Sequence, residues 1–525
     1  KHYRVPADQY FYPLLFEEAG YYRLNPGKTD YNTKRPEGLW DEGENYTGTD
    51  DPFLAVFNKE NTHMSSVRKR TLPEYDLDIS HLPHLPDLPK IRDNYGHHLF
   101  QVERADTWVG ERLADLKKSG KEDDTIIFFY SDHGGCQPRG KAYPFESGLQ
   151  VPLIIYVPPK WRHLAPDLKM GEKTDRMVEF TDFAPTILSL AGIEPPDYMQ
   201  GKAFMGPHAQ APRQYQFGFR SNQDIHYDPI RTVSDGRFKY MRNYMPYRPL
   251  GLRQAYQWAM EANLEYDQAH RDGKLKPEHA RHFEAKPTEL LFDLQADPFE
   301  LNNLAGDPAH QKTLETLRAQ VSRHIRATKD LGFFPPSARM HEKTPLYDWV
   351  REQDYPLDEL YALAEMASDG KAENAPALAK ALESKHPAMR FWGASGLSTI
   401  ASRGQQVAVP AALLPLTKDP NPDVAAAAAE ALCFLGEEKQ GVDALMAQIE
   451  ADSLPACSAL ETFVKTKGAP PALQPHLPRL REIASENVEP VNGKRLFYVR
   501  SILVDAGINT PWDLFVHEPW ALPTS

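Results

Sequence analysis

The chain has 525 residues, with 60 Lys or Arg and 73 Asp or Glu, so its formal net charge at pH 7 is −13. This acidic balance argues against nucleic-acid binding, because phosphate contacts need concentrated Lys and Arg. No apolar run reaches the ~18 to 20 residues that span a bilayer, and three cysteines exclude a scaffold built on disulfides. At about 150 residues per domain, the length predicts roughly three domains.

Residues 1–212 alternate strand and helix signals. Short apolar runs rich in β-forming residues predict buried strands, covered on both faces, at 53–57, 125–130 and 151–157. A long helix is predicted between the first two strands, because apolar residues recur there every three or four positions. Its apolar face would hold Leu99, Val102, Ala105, Val109, Leu113 and Leu116. This alternation predicts an α/β domain with a layered, largely parallel sheet.

Residues 213–331 have a different pattern. An Asp-Gly pair at 235–236 lies between two β-rich runs and predicts a hairpin. A further strand is predicted at 290–294 and a helix at 311–328. Together these elements predict a small α+β subdomain.

Residues 355–525 are rich in Ala and Leu and repeat internally. The segment that begins at Leu378 aligns with the one that begins at Leu413, and Pro387 then falls on Pro422. Two short helices per unit predict an all-α, HEAT-like solenoid, and an ordinary helical bundle with chance similarity is the alternative. The proline-bearing segment 332–354 is predicted to be a linker, so the helical region is expected to fold by itself.

The second predicted strand is followed directly by Ser131-Asp132-His133-Gly134. Ligands gather at the carboxyl ends of strands in α/β sheets, and a carboxylate is a hard oxygen donor suited to Ca²⁺ or Mg²⁺. Imidazole is less typical of those ions. The tetrapeptide is therefore a candidate metal corner, and a simple helix-cap turn is the alternative.

The residues after this corner extend the pattern. They include Gly-Lys at 140–141, Phe-Glu-Ser-Gly at 145–148 and Val-Pro at 151–152. This order resembles the second signature region of the sulfatases, in the alkaline phosphatase superfamily. Gly27-Lys28 and the strand that leads to His63 resemble earlier landmarks of that family. The resemblance covers roughly the first 330 residues and implies an alkaline-phosphatase-like layered core followed by the small subdomain.

The resemblance also implies roles for individual residues. Asp132 and His133 would bind the metal ion, Ca²⁺ or Mg²⁺. Lys28 and Lys141 would hold the sulfate oxygens, and His63 would bind the sulfate or help to protonate the leaving group. Cations around the oxygens suit a transition state in which negative charge develops there.

The sequence departs from the family in three places. The family's Cys/Ser-x-Pro-x-Arg motif, which is converted to formylglycine, does not occur, and neither does its Asp-Asp metal pair on the first strand. We expect both upstream of residue 1, so that the core would be incomplete at its N-terminus. Cys136-Gln-Pro-Arg139 is one residue short and is interpreted as a chance likeness. Asp30 stands where the family has His, and its role stays open.

The predicted function of the intact parent protein is hydrolysis of sulfate esters or N-sulfo groups, with a sulfated glycan or small molecule as substrate. One alternative is a phosphoester or phosphonate hydrolase of the same superfamily. Another is an inactive relative whose solenoid binds a protein partner. The resemblance favours a periplasmic or extracellular location.

Overall fold

A computed structural model describes residues 5, 9–29, 31, 33–43, 45–46, 49–68, 73–339, 344–486 and 493–515. Asp30, whose role the sequence left open, lies outside the described residues. None of the helices in these ranges is both long and apolar enough to cross a membrane.

The first region contains two small sheets. Strands β1 (Tyr22–Leu24) and β2 (Phe53–Ala55) pair in parallel, whereas β3 (Ile127–Tyr130) and β4 (Leu153–Tyr156) pair antiparallel. The three predicted strands are therefore present. The expectation of a largely parallel sheet is wrong for β3 and β4.

The faces of β3 and β4 also differ from the prediction. Phe128 and Ile155 are register partners that pack into an apolar cluster with Val157 and other residues. The next pair along the strands is exposed, with Ile154 at 62%. Ile127, on the opposite face from Phe128, packs on a second cluster with Leu24, Tyr46 and Leu116. Both faces therefore have apolar contacts at the start of β3, but the exposed Phe129, Tyr130 and Ile154 show that the strands are not covered on both faces along their length.

In the described part of this region, five α-helices accompany these strands. Their bounds are Tyr12–Glu18 (α1), Met64–Val67 (α2), Pro89–Lys118 (α3), Glu146–Leu149 (α4) and Phe183–Leu190 (α5). The long predicted helix is confirmed as α3, but its predicted apolar face is not the buried one. The exposed members of that face are Leu99, Val102 and Leu113.

A polar face of α3 is buried instead. The His97 ring nitrogens lie 3.1 and 2.8 Å from the carbonyl oxygens of Val67 and Pro73, and Asn61 donates to Gln101. The helix packs here on irregular chain whose carbonyl groups need donors. Apolar periodicity alone could not indicate that requirement.

The subdomain is a four-stranded antiparallel sheet in the order β5 (Gln216–Gln223), β6 (His226–Ser234), β7 (Phe238–Asn243) and β8 (Glu289–Asp293). The predicted hairpin is confirmed: Ser234 pairs with Lys239, and Gly236 takes a φ of 95° in the turn. Its helices are Ala255–Trp258 (α6), Glu261–Arg271 (α7), Pro277–Ala280 (α8) and the predicted Gln311–Thr328 (α9).

The last region is helical, as predicted. Its helices are Leu346–Glu352 (α10), Leu357–Asp369 (α11), Ala375–Ala381 (α12), Pro387–Ser402 (α13), Leu413–Leu416 (α14), Pro422–Phe434 (α15), Glu438–Glu450 (α16), Leu454–Lys467 (α17), Leu477–Ser485 (α18) and Gly493–Asp505 (α19). Helix α13 packs against α11, α12 and α15, α15 against α17, and α17 against α19. Helices thus stack on their neighbours along the chain, while the HEAT-like classification stays a prediction.

The segment predicted to be a linker is part of the core. Phe333 and Phe334 are buried, and the Trp392 indole donates to the Phe333 carbonyl over 2.9 Å. One hydrophobic cluster continues from the subdomain through this segment into the helical region. These buried contacts of the described residues argue against the expectation that the helical region folds by itself.

Candidate active site

The corner after β3 brings the two predicted metal ligands together. The Asp132 carboxylate is 84% exposed, and one of its oxygens lies 3.5 Å from His133 Nε2. His133 Nδ1 donates to the Gly134 carbonyl over 2.8 Å. Because a carbonyl oxygen can only accept, Nδ1 carries a proton, and Nε2 is the ring nitrogen that faces the Asp132 side.

These two residues do not complete a metal site. Ca²⁺ takes six to eight oxygen ligands, and within the described ranges no three His, Cys, Asp or Glu side chains cluster so as to hold a metal ion. Asp132 and His133 are therefore two side chains of a metal site that the described residues do not complete.

The loop that follows the corner is tightly folded. The Gly134 amide donates to the Gly148 carbonyl over 3.0 Å, and the Lys141 amide donates to the Gly135 carbonyl over 2.8 Å. A Cβ atom at Gly134 or Gly140 would overlap backbone carbonyl groups. The predicted signature region is thus a compact backbone unit that requires glycine at these positions.

Lys141 is held inside this loop from several directions. The nearby residues Arg139 and Ala142 have φ values of 67° and 76°, which residues other than glycine rarely adopt. The Gln257 carboxamide donates to the Lys141 carbonyl over 2.8 Å. The Lys141 Nζ lies 5.2 Å from the centre of the Tyr256 ring. Strained backbone of this kind persists where surrounding contacts fix it, often at functional sites.

The subdomain also holds this loop, through salt bridges and hydrogen bonds. Lys239 is buried and pairs with Glu146 over 2.8 Å and with Glu300 over 2.9 Å. A Glu300 carboxylate oxygen accepts from the Glu146 amide over 2.6 Å, and the Glu300 carbonyl accepts from Arg139 over 3.1 Å. The loop is therefore held between β3 and the subdomain sheet.

His63 caps the start of α2. Its Nδ1 accepts from the Ser65 amide over 3.4 Å and lies 2.7 Å from the Ser65 hydroxyl. Its Nε2 lies 2.8 Å from the Tyr256 hydroxyl. Both nitrogens of the imidazole therefore have a hydrogen-bonding partner.

The charges of the two predicted lysines affect the pKa of His63. Burial lowers the pKa of His63, and the positive charges of Lys141 and Lys28 lower it further, while Glu60 and Asp132 raise it. Charges influence a side chain in this way only when they are near it. Lys28, His63 and Lys141 come from three separate segments, and the charges of both lysines and of Asp132 act on the His63 ring.

Lys28 lies on the exposed side of this group. Its carbonyl accepts from the Asn58 carboxamide over 3.1 Å, and the same carboxamide donates to Asn25 over 3.3 Å. Asn58 follows β2, so the end of the parallel pair fixes the loop that carries Lys28.

Two residues of the site were missed in the sequence. Tyr256 and Gln257 belong to the one-turn helix α6 and reach His63 and the Lys141 carbonyl, respectively. Nothing in the local sequence indicates them, because both contacts depend on how the subdomain packs on the first region.

Comparisons with known proteins find sulfatases among the sequences that resemble this chain. Residues 9–193 match the family model described as Sulfatase, and residues 139–272 match the one described as N-sulphoglucosamine sulphohydrolase, C-terminal. An "Ulvan-active sulfatase" of Formosa agariphila is 34% identical over 61% of this chain and 60% of its own length. The human N-sulphoglucosamine sulphohydrolase is 26% identical over 55% of this chain and 59% of its own length.

The chain thus spans about three fifths of these two relatives. A solved structure of a 2-O GAG sulfatase superposes with a TM-score of 0.42 at 18% identity, over 62% of this chain and 76% of that one. The family matches support a place for the matched region in the alkaline phosphatase superfamily, among sulfatase-like sequences.

Proposed function

We propose that this chain contributes the sulfate-binding side of a sulfatase that acts on sulfated glycans, as sulfate esters or N-sulfo groups. The observation that carries the proposal is that His63 and Lys141 both contact Tyr256, with Lys28 and Asp132 near enough for their charges to act on His63. The names of the relatives, one active on ulvan and one on N-sulphoglucosamine, support a glycan substrate.

The chemistry of the three residues suits a sulfate group. Two ammonium groups can neutralise its oxygens, and they act most strongly where charge develops in the transition state. His63 can offer its Nε2 proton, because Nδ1 is occupied by the Ser65 amide. Burial and two nearby cations keep this imidazole neutral. Its Nε2 proton points to the Tyr256 hydroxyl, and a bound sulfate or leaving-group oxygen would share that proton with the phenol.

Two further groups belong to the proposal by family resemblance. Where present, a formylglycine hydrate supplies the nucleophile that attacks sulfur, and Ca²⁺ or Mg²⁺ would take two of its ligands from Asp132 and His133. We also propose a HEAT-like arrangement for the helical region, a protein partner on it, and a periplasmic or extracellular location.

The test is calorimetric titration of the chain with glucosamine N-sulfate and glucosamine 6-sulfate, with glucosamine as the unsulfated control. We expect the sulfated sugars to bind and Lys141→Ala to weaken binding about tenfold or more, as loss of a charged hydrogen bond does. Lys160→Ala is the matched control, because Lys160 pairs with Asp124 at an exposed position away from the site.

Two results would contradict the proposal: absence of binding, or equal affinities for the Lys141 and Lys160 variants. Preference for glucosamine 6-phosphate over the 6-sulfate would favour the phosphoester alternative. Because no Cys/Ser-x-Pro-x-Arg occurs in these 525 residues, we expect binding without turnover on aryl or glycan sulfates.

A further inference from the structure

Helix α6 connects the two main elements of the candidate site. It is a single turn in the subdomain, yet Tyr256 reaches His63, 193 residues earlier, and Gln257 reaches Lys141, 116 residues earlier. Two consecutive residues therefore hold the histidine and the lysine-bearing loop in one geometry.

The hydrogen bonds of His63 define the role of Tyr256. A backbone N–H can only donate, so His63 Nδ1 must accept from Ser65, and the neutral ring carries its proton on Nε2. Nε2–H then donates to the Tyr256 hydroxyl oxygen over 2.8 Å. The phenol thus lies at the proton that His63 would present to a ligand.

The Tyr256 ring also adjoins the cations of the site. The Lys141 Nζ lies 5.2 Å and the Arg68 guanidinium 5.8 Å from its centre, within the range in which a ring face attracts a cation. The ring packs against the buried cluster of Met64, Val67, Cys136 and Met260. Burial raises the pKa of Tyr256, so the phenol is neutral and its hydroxyl keeps its own proton.

We propose that Tyr256 is a positioning residue for sulfate binding, which fixes the orientation of the His63 imidazole beside the Lys141 ammonium, so that an anion bound at Lys141 shares the Nε2 proton with the phenol oxygen. This inference rests on the proposed function, because it names what aligns that binding site. The carboxamide of Gln257 supports the same alignment by holding the backbone of Lys141.

The first test uses Tyr256→Phe, which keeps the ring and its packing and removes only the hydroxyl. The matched control is Tyr95→Phe, because the Tyr95 hydroxyl lies 3.4 Å from His81 Nε2 at another tyrosine–histidine pair. With glucosamine N-sulfate as probe, we expect Tyr256→Phe to weaken binding about fivefold, as loss of one neutral hydrogen bond does. Tyr95→Phe should bind like the parent chain.

A double-mutant cycle with His63→Ala separates positioning from a direct or merely structural effect. If Tyr256 acts through His63, Tyr256→Phe should cost nothing further in the His63→Ala background. Equal losses in both backgrounds would overturn the proposal, since the hydroxyl would then act independently of the imidazole.

A spectroscopic readout distinguishes this inference from the proposed function. In protein with ¹⁵N-labelled histidine, we expect the His63 Nε2–H signal to be visible by NMR and lost in Tyr256→Phe but kept in Tyr95→Phe. An unchanged signal in Tyr256→Phe would overturn the inference even if sulfated sugars bind. If the signal responds but the parent chain binds no sulfated sugar, the proposed function fails and the sulfate-positioning role fails with it.

Discussion

Cys136 lies against the candidate site, in a buried cluster with Met64, Val67 and Met260. Burial raises the pKa of its thiol to about 12, and the nearby Lys141 charge offsets only part of that effect. A thiol attacks as the thiolate. At neutral pH Cys136 is therefore a packing residue, although its motif resembles the family's nucleophile motif.

This environment predicts the reactivity of the thiol. At pH 8 the thiolate fraction at a pKa of about 12 is roughly 10³-fold below that of an exposed cysteine. We expect iodoacetamide to leave Cys136 unmodified in the folded protein, as measured by mass spectrometry of its tryptic peptide. In guanidinium chloride all three cysteines should react. Rapid alkylation of Cys136 in the folded protein would contradict its assignment as a packing residue.

At the same scale, the sequence identified residues whose motifs are local. Lys28, His63, Lys141, Asp132 and His133 each stand in a short pattern, and the structure brings Lys28, Lys141 and Asp132 around His63. Their roles stay predictions. Tyr256 could not be identified, because its contact with His63 joins residues 193 positions apart and leaves no pattern in either segment.

The loop between β3 and β4 shows the constraints at the scale of an element. Its glycines stand where backbone meets backbone: the space for a Cβ atom at Gly148 is taken by the carbonyl groups of Tyr143 and Gly140. Backbone cannot move aside as the end of a flexible side chain can. The position of Lys141 therefore depends on the glycines that let these backbone segments approach each other.

We predict opposite effects for two Gly→Ala substitutions. Gly148→Ala should lower the free energy of unfolding by about 1 to 3 kcal/mol, the usual cost of overpacking, and should weaken binding of glucosamine N-sulfate. Gly110→Ala is the control, because Gly110 lies in α3 with nothing within 4 Å of the added Cβ. It should stabilise the protein by about 1 kcal/mol through helix propensity. Urea unfolding measures both, and a Gly148→Ala protein as stable as the parent would contradict the tight packing of the loop.

Most elements could be predicted from periodicity and turn residues, but their partners could not. The hairpin between β6 and β7 has a local signal in Asp235-Gly236 and is confirmed. The antiparallel pairing of β3 with β4 has none, because continuous apolar runs do not encode direction. The buried face of α3 was mistaken because His97 and Gln101 contact polar groups of distant chain, the Val67 carbonyl and the Asn61 carboxamide respectively.

At the scale of the molecule, buried ion pairs join the subdomain to the helical region. Arg253 is fully buried and binds Asp267 over 2.6 Å and Asp505 over 2.8 Å. Arg248 binds Glu430 of α15 over 3.0 Å. Removing one partner of such a pair leaves an uncompensated charge in the interior, so the two regions depend on each other.

The same contacts explain why the linker prediction failed. Prolines and a change of composition at 332–354 predict irregular chain. The helices in the described part of this segment are indeed short. Composition cannot show that Phe333 and Phe334 are buried between two layers. Two buried carboxylates of the helical region also depend on distant partners. Glu430 of α15 pairs with Arg248 of the subdomain, and Glu461 of α17 accepts from the Ser501 hydroxyl of α19.

The Arg248–Glu430 pair gives the sharpest test of this dependence. Both residues are buried, and the Tyr247 hydroxyl also donates to Glu430, over 2.9 Å. Arg248→Met should lower the free energy of unfolding by about 3 to 5 kcal/mol, because Glu430 is left buried without its cation. Arg248→Met combined with Glu430→Leu should recover most of that loss, because a well-packed apolar pair can replace a buried ion pair.

The control for these two variants is Lys439→Met, which breaks the exposed Lys439–Asp443 pair within one helix. It should lower the free energy of unfolding by no more than about 0.5 kcal/mol. Chemical denaturation followed by circular dichroism measures the free energy of unfolding of the parent chain and of the three variants. If Arg248→Met is no more destabilising than Lys439→Met, the interface does not couple the two regions. If the double variant is as unstable as Arg248→Met, the loss comes from packing at position 248 and not from the unpaired charge of Glu430.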